Sequence, residues 1–403
     1  MKKFSKIFFY LTAVVLLSWL LPWLLQFAAS KPGNDPFTLY SCVTKRFAYI
    51  QSSKDNGVKR YDANGTEYTV AQFDSILPTF YYRQLFSKDR LPDTINGKEV
   101  TPKIIAHGNF TFKQSARDVN VTKPALNMIM ESMPDRIDLE NPIEAFRTTD
   151  RITFIDMRDN TVNEKKSALF DKVMKQKGFE FPVRTLSGNP TNRKEYDEGY
   201  MLLDGKGGLY HFKQLRGRPY VRRVDLPDSV RIADIFITEF SNRRSYAFLS
   251  DEAHNFYVLT NPGYELKQLP VGHFDPRSEN IMIVADLFNW TVSISGEEGT
   301  RYYAVDADDY SLCDTLTYPA AEGVRQRVAE WLFPFDLSFT SYDDQYVYPR
   351  LGRFSACALL LNVLLAVVYL IVRRRHLRRA WLPAAGIVLL GLFLFVPLMV
   401  IRR

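Results

Sequence analysis

The sequence predicts a membrane-anchored, mainly-β protein. An N-terminal transmembrane helix (residues 1–30) leads into an exterior β-rich, propeller-like domain with a helical insertion (31–352). A transmembrane helical hairpin with an Arg-rich turn (353–403) follows. Three observations predict this: three long uncharged apolar runs, a lopsided charge distribution, and a tyrosine-marked repeat in the middle of the chain.

The first run, residues 7–30, holds 24 residues without a charge. A helix needs about 20 apolar residues to cross the hydrocarbon core. Lys2, Lys3 and Lys6 before it and Ala28, Ala29 and Ser30 at its end resemble a signal peptide. The run exceeds the roughly 7–15 residues of a signal core, so an uncleaved anchor is expected. The second and third runs, 354–372 and 380–401, span 19 and 22 residues. Trp19, Trp23 and Trp381 are candidate interfacial anchors. Asn362, the strongly polar residue of the second run, is expected to bond within the hairpin.

Charge sets the orientation. Of 52 Lys and Arg, three lie in residues 1–30 and eight in 353–403, where there are no acids. That leaves 41 cations against 45 acids in between. The basic excess therefore flanks the apolar runs, and the middle is mildly acidic. This pattern excludes a soluble cytoplasmic protein and gives no basic face for nucleic acid. Arg373, Arg374, Arg375, Arg378 and Arg379 between the second and third runs place that turn in the cytoplasm. The N-terminus then faces the cytoplasm, and residues 31–352 lie on the exterior side.

The exterior segment repeats over about residues 181–319. Tyr210, Tyr257 and Tyr302 are spaced 47 and 45 apart, and Tyr220, Tyr264 and Tyr310 are spaced 44 and 46. Each unit reads strand, polar turn, strand, turn, strand. Further strands at 231–240 and 280–289 precede the second and third units. Four strands every 40–50 residues is the period of a propeller blade. An antiparallel meander with similar loops is the alternative. In the first half, 47–53, 58–62 and 67–73 predict another three-stranded unit. Residues 80–86, 126–132 and 165–177 predict helices, and 151–158 a strand. Residues 320–332 predict an amphipathic helix.

No motif with a catalytic mechanism is present. There is no Walker A loop, H-E-x-x-H, G-x-S-x-G or C-x-x-C. His107, His211, His254 and His273 are scattered, although a meeting of His211 and His254 between units is conceivable. Asp306, Asp308 and Asp309 read as a solvated turn rather than a calcium loop. No catalytic, cofactor or metal residue is expected. Cys42 and Cys313 are a candidate disulfide, because a ring fold brings its first and last units together and an exterior compartment is oxidising. Cys357 is expected to pack in the membrane.

These features predict a non-enzymatic accessory subunit, bound through its helices to an integral-membrane partner. Its exterior domain would bind substrate or protein. An envelope sensor or ligand-binding receptor is the alternative, weakened by the few cytoplasmic residues.

The start MKKFSKIFFYLTAVVLLSWLLPWL, then SKPGNDPFTLYSCVTKRFAYI and EYTVAQFDSILPTFYYRQLFSKDRLPDTINGKEV, resemble an uncharacterised family of Bacteroidota inner-membrane proteins over the full length. The resemblance implies a multi-pass inner-membrane location and an ABC-type transporter as the partner system. It also implies O-glycosylation at Asp-Ser/Thr-aliphatic sites, here Ser75, Thr94, Ser229 and Thr315.

Overall fold

The computed structural model describes residues 2–28, 36–53, 57–121, 125–134, 138–320, 324–339, 349–352, 354–374 and 377–400. They divide into two compact units, Asp35–Pro319 and the pair of segments Met1–Asn34 and Ala320–Arg403. The chain opens with α1 (Lys2–Ala28), whose stretch Ile7–Leu25 is long and apolar enough to cross a membrane.

The larger unit is mainly β. β1 (Phe37–Ser41), β2 (Arg46–Ser53) and β3 (Gly57–Asp62) form an antiparallel sheet in that order. The segment 67–73, expected as a strand of this sheet, instead enters helix α2 (Val70–Ile76). Thr69 accepts from the Gln72 backbone N–H while the Gln72 side chain accepts from the Thr69 N–H, a reciprocal cap that starts the helix. β1 supplies the third strand instead.

The helical insertion continues through α3 (Tyr82–Phe86), the hairpin β4 (Thr94–Ile95) and β5 (Lys98–Glu99), α4 (Pro102–Gly108), β6 (Phe110–Gln114) and α5 (Ala116–Asn120). Thr101 and Ser115 cap α4 and α5, and Pro102 occupies the first turn of α4 where no backbone N–H is needed. Residues 126–132, expected as a helix, are extended instead. β7 (Asn127–Met128) pairs with β8 (Glu144–Thr148), which pairs with β9 (Ile152–Asp156). Ile129 and Met130 are buried, and a run this short serves a core equally well in either conformation. α6 (Glu164–Gln176) is capped by Asn163 and buries Ser167, Phe170 and Met174 on one face.

Three blade-like antiparallel meanders follow. β10 (Thr185–Gly188), β11 (Tyr200–Leu203), β12 (Leu209–Leu215) and β13 (Arg218–Val224) form the first. β14 (Ile232–Ile237), β15 (Ser245–Asp251), β16 (Phe256–Thr260) and β17 (Leu266–Leu269) form the second. β18 (Asn280–Ala285), β19 (Asn289–Gly296), β20 (Gly299–Asp306) and β21 (Leu312–Pro319) form the third. The tyrosine-marked units thus map onto successive sheets, and β10 completes the first. β6, from the insertion, pairs with β18 on the inner edge of the third blade.

Apolar clusters join the sheets face to face. Phe146, Phe154, Phe170 and Phe212 join β7–β9 and α6 to the first blade. Leu203, Leu209, Ile235 and Leu249 join the first blade to the second. Phe112, Phe236, Phe248, Val258, Ile283 and Trp290 join the second to the third. Tyr40, Phe47, Tyr302 and Ala304 join the sheet β1–β3 to the third.

The other unit adds α7 (Val324–Leu332), the hairpin β22 (Asp336–Ser338) and β23 (Arg350–Gly352), α8 (Ala358–Val372), α9 (Leu377–Leu390) and α10 (Leu392–Val400) to α1. Residues 321–323 and 401–403, at the edges of two expected helices, lie outside the described residues. The third apolar run, expected as one span, is broken between α9 and α10 at Gly391, whose φ is 55°. Asn362 of α8 fills the break and donates from Nδ2 to the Val388 carbonyl at 3.1 Å. A Cβ at Gly391 would stand 2.2 Å from Asn362 Oδ1, so a side chain there meets both a left-handed backbone and a polar neighbour. Ala366, Ala380 and Ala384 line the buried seam with Tyr369, Ile387 and Leu398, their small side chains allowing close approach.

Candidate functional site

The inner strands β6, β10 and β14 converge on a cavity of about 690 Å³, closed on one side by α5 and Arg277. β6 and β10 end their sheets here, as does β14, so free strand edges border the cavity. The walls carry Lys113, Arg184 and Arg277 against Asp118 and Asp234. Asp234 Oδ1 lies 3.7 Å from the Arg277 guanidinium, and its Oδ2 accepts from Ser250 at 3.4 Å. Ser187 Oγ accepts from the Ile237 N–H at 3.1 Å, tying β10 to β14 across the floor. The chemistry on offer is charge pairing, side-chain hydrogen bonding and backbone pairing along open edges. It is suited to holding a polar ligand or an extended segment.

Beside this cleft, a buried polar network joins the first and second blades. Lys194 Nζ donates to Asp197 Oδ1 at 2.6 Å, to Glu239 Oε1 at 2.6 Å and to the Asn189 carbonyl at 2.6 Å. Burial pushes the Glu239 carboxyl up, while the Glu198 N–H and Lys194 oppose that. His211 Nε2 meets the Glu198 carbonyl at 2.6 Å, which can only accept, so Nε2 carries the proton. Nδ1 then accepts from the Tyr264 hydroxyl at 2.6 Å. Burial holds this imidazole down to about 4, so it is neutral at ordinary pH.

His211 and His254 do not meet. His211 belongs to that network, whereas the His254 ring lies 4.5 Å from that of His273. Both flank segments whose closeness is tertiary: the Phe274 N–H donates to the His254 carbonyl at 3.0 Å. Among the described residues, no group of three or more His, Cys, Asp or Glu could hold a metal. Asp306 Oδ1 accepts from the backbone N–H groups of Asp308 and Asp309 at 2.8 and 3.3 Å, and Asp308 pairs with Lys98.

The candidate Cys42–Cys313 bond is not formed, and both are free thiols. Cys42 is buried with Ile95, Val100, Ile105 and Phe288, whereas Cys313 lies on the exposed edge strand β21 and accepts from Asn289 at 3.5 Å. Burial in the apolar cluster turns the Cys42 side chain inward. The two do share a corner of the β unit, since Phe288 packs on Cys42 and the next residue, Asn289, donates to Cys313. Cys357 is also a free, exposed thiol. Ser75 on α2, Thr94 on β4, Ser229 in the turn before β14 and Thr315 on β21 are separate and all exposed. The cleft itself escapes sequence inspection. Its one signal is the strand expected at 231–240, whose place on the cleft only the sheet order reveals.

No curated protein matches the chain in sequence. Among solved structures, PorZ, a surface component of the type-IX secretion system of Porphyromonas gingivalis, is 12% identical with a TM-score of 0.23. That match covers 71% of this chain, which spans only 27% of PorZ. The WD40 domain of SCAP from fission yeast is 9% identical over 76% of each chain, with a TM-score of 0.28. The N-terminal domain of Nup159 is 10% identical over 72% of this chain and 79% of its own, with a TM-score of 0.20. At such scores the fold description rests on this chain's own sheets. Residues 37–305 match the family described as a domain of unknown function (DUF4857), about two thirds of the sequence, and the chain belongs to that family.

Proposed function

We propose that this protein is a non-enzymatic accessory subunit of a bacterial inner membrane, of the kind expected in Bacteroidota. In this reading α1 and α8–α10 are the membrane part and dock on a multi-span partner, an ABC-type permease. The β unit faces the periplasm and uses its cleft to bind the transported substrate or another envelope protein. The observation that carries the reading is the cleft of about 690 Å³, bordered by three free strand edges and five charged side chains. Support for the membrane part comes from the outward apolar residues of α1, α8 and α9, such as Leu16, Leu360, Ile371 and Leu389, opposite a seam of small side chains. The exposure of Ser75, Thr94, Ser229 and Thr315 suits the proposed O-glycans.

The test is affinity purification after gentle detergent extraction. Co-isolation of a permease and its ATPase is the expected result, and Asp234→Lys with Arg277→Glu should leave that assembly intact while removing the periplasmic ligand. A monodisperse monomer without a partner contradicts the proposal.

A further inference from the structure

Helix α7 carries an apolar arc wider than the face it packs. It lies against α1 and α8. The half-buried Ala329 and Leu332 and the buried Phe333 line its inner side. Phe333 extends the last turn, its N–H donating to the Ala329 carbonyl at 2.8 Å, and its ring stacks on Phe393 of α10 at 5.5 Å and 8°. Val328 and Trp331, three residues apart, carry the apolar arc round to the surface, where Trp331 is 52% exposed. Arg327 and Glu330 hold the remaining, polar side. A helix that only packs on a core turns polar residues outward. Here an indole faces out beside them.

The neighbours of α7 fix its place along the helices. The Ser355 hydroxyl, just before α8, donates to the Glu330 carbonyl at 2.7 Å, and the Ser355 N–H donates to the Pro334 carbonyl at 3.0 Å. The Phe335 ring lies 5.3 Å from Phe393 and 6.4 Å from Phe354. α8 runs from Ala358 to Val372 beside the Arg-rich turn, so α7 sits at the opposite end of the hairpin. α1 passes the same end, with the Trp19 ring 5.6 Å from Phe339. Trp19, Trp23 and Phe354 are exposed as well, Phe354 by 77%. Tryptophans collect where a membrane helix meets the headgroups, and apolar surface gathered in one place marks a membrane or partner contact.

We infer that α7 is an interfacial helix, lying along the bilayer surface away from the Arg-rich turn, with Val328 and Trp331 among the headgroups and upper acyl chains. This rests on reading α1 and α8–α10 as the membrane part. Its nine residues are too few to span. An interfacial helix buries one face about 5–10 Å into the headgroup and acyl boundary and keeps its charges on the other, as α7 divides Val328 and Trp331 from Arg327 and Glu330. The bilayer is the occupant because the face lies at the same end of the unit as Trp19 and Trp23 of the apolar helix α1.

The test is tryptophan fluorescence of the full chain in nanodiscs, with lipid brominated near the top of its acyl chains or with iodide in the water. Trp331→Phe keeps an aromatic ring and removes one of five tryptophans. The emission it removes should be that of a ring about 5–10 Å into the boundary, quenched at least about twofold by the brominated lipid and spared by iodide. Val328→Trp should add a lipid-quenched component, and Glu330→Trp one that iodide reaches. The inference is overturned if the Trp331 emission is quenched by iodide and not by lipid. It is equally overturned if neither reaches Trp331, the outcome for a face covered by protein. Should Trp331→Phe not fold, an iodide-quenched component in Val328→Trp overturns it. Trp19, Trp23 and Trp381, which remain in Trp331→Phe, report on the membrane reading itself. If lipid quenches them but not Trp331, this inference alone fails; if lipid quenches none of them, both fail.

Discussion

The two junctions on either side of the second blade are built from different physics. Between the second and third blades, Phe112, Phe236, Phe248, Phe256 and Trp290 interlock, with Phe112 and Phe248 ring centroids 4.7 Å apart. Between the first and second, an apolar seam is joined by the buried side chains of Lys194, Asp197, Glu239 and His211 and by the half-buried Tyr264, all hydrogen-bonded. An apolar junction is stabilised in proportion to the area it removes from water and has no pH term. A buried charged junction gains little net stability, because desolvation offsets the Coulomb attraction, but it punishes the loss of any member. It also fixes orientation, since each donor has one acceptor geometry. The cleft is floored by β10 and β14, the inner strands of the two blades that the polar junction holds. Precision in the cleft therefore depends on the polar junction.

Four perturbations separate the two. The largest effect is expected from Lys194→Met, which strands two buried carboxylates and should cost about 5 kcal/mol at neutral pH. The loss should shrink near pH 5, as a carboxyl takes up a proton. Denaturant midpoints at the two pH values check this. Phe248→Ala, in the apolar junction, should cost about 4 kcal/mol through lost transfer energy and a cavity. That loss should be the same at both pH values, and a pH-dependent loss would break the contrast.

Of the two junctions, acidification acts on the polar one. The imidazole of His211 falls from 6.5 to about 4 on folding, so its stabilisation is complete above pH 6.5 and is lost as pH falls towards 4. The shift corresponds to about 3 kcal/mol. The raised carboxyl of Glu239 works in the opposite direction, since the folded state gains a proton first as pH falls. His211→Gln isolates the histidine part: its stability should vary less between pH 6.5 and 4 than that of the unmodified chain. The smallest effect is expected from Tyr264→Phe. It leaves His211 Nδ1 without its donor, for about 2 kcal/mol, with the sheets otherwise unchanged by circular dichroism.

Legibility in the sequence followed the range of the interactions. The blades were readable because the tyrosine spacing repeats and strands pair with chain neighbours, as β11, β12 and β13 do. β10 was missed because four residues carry too little pattern, and its role comes from neighbours in space. The turn to helix at Thr69 is written locally, as Thr and Gln three apart, but the Ala-Asn-Gly turn at 63–65 before it points to a strand. Pairing of β6 with β18 joins distant parts of the chain and left no periodic trace. The cleft and the polar junction share that origin, since Lys194 and Glu239 are ordinary charged residues until folding buries them together. The free Cys42 teaches the same lesson. The shared corner followed from chain topology, whereas the inward turn of the thiol depended on Phe288 and Ile105.

The proposed role turns on which side of the membrane the β unit occupies. An enzyme reporter active only outside the cytoplasm, fused after residue 200 or at residue 376, measures this directly. The account predicts activity for the fusion after residue 200 and none for the fusion at 376, because the arginines around 376 hold that turn inside. Activity at 376 and silence after 200 would contradict it.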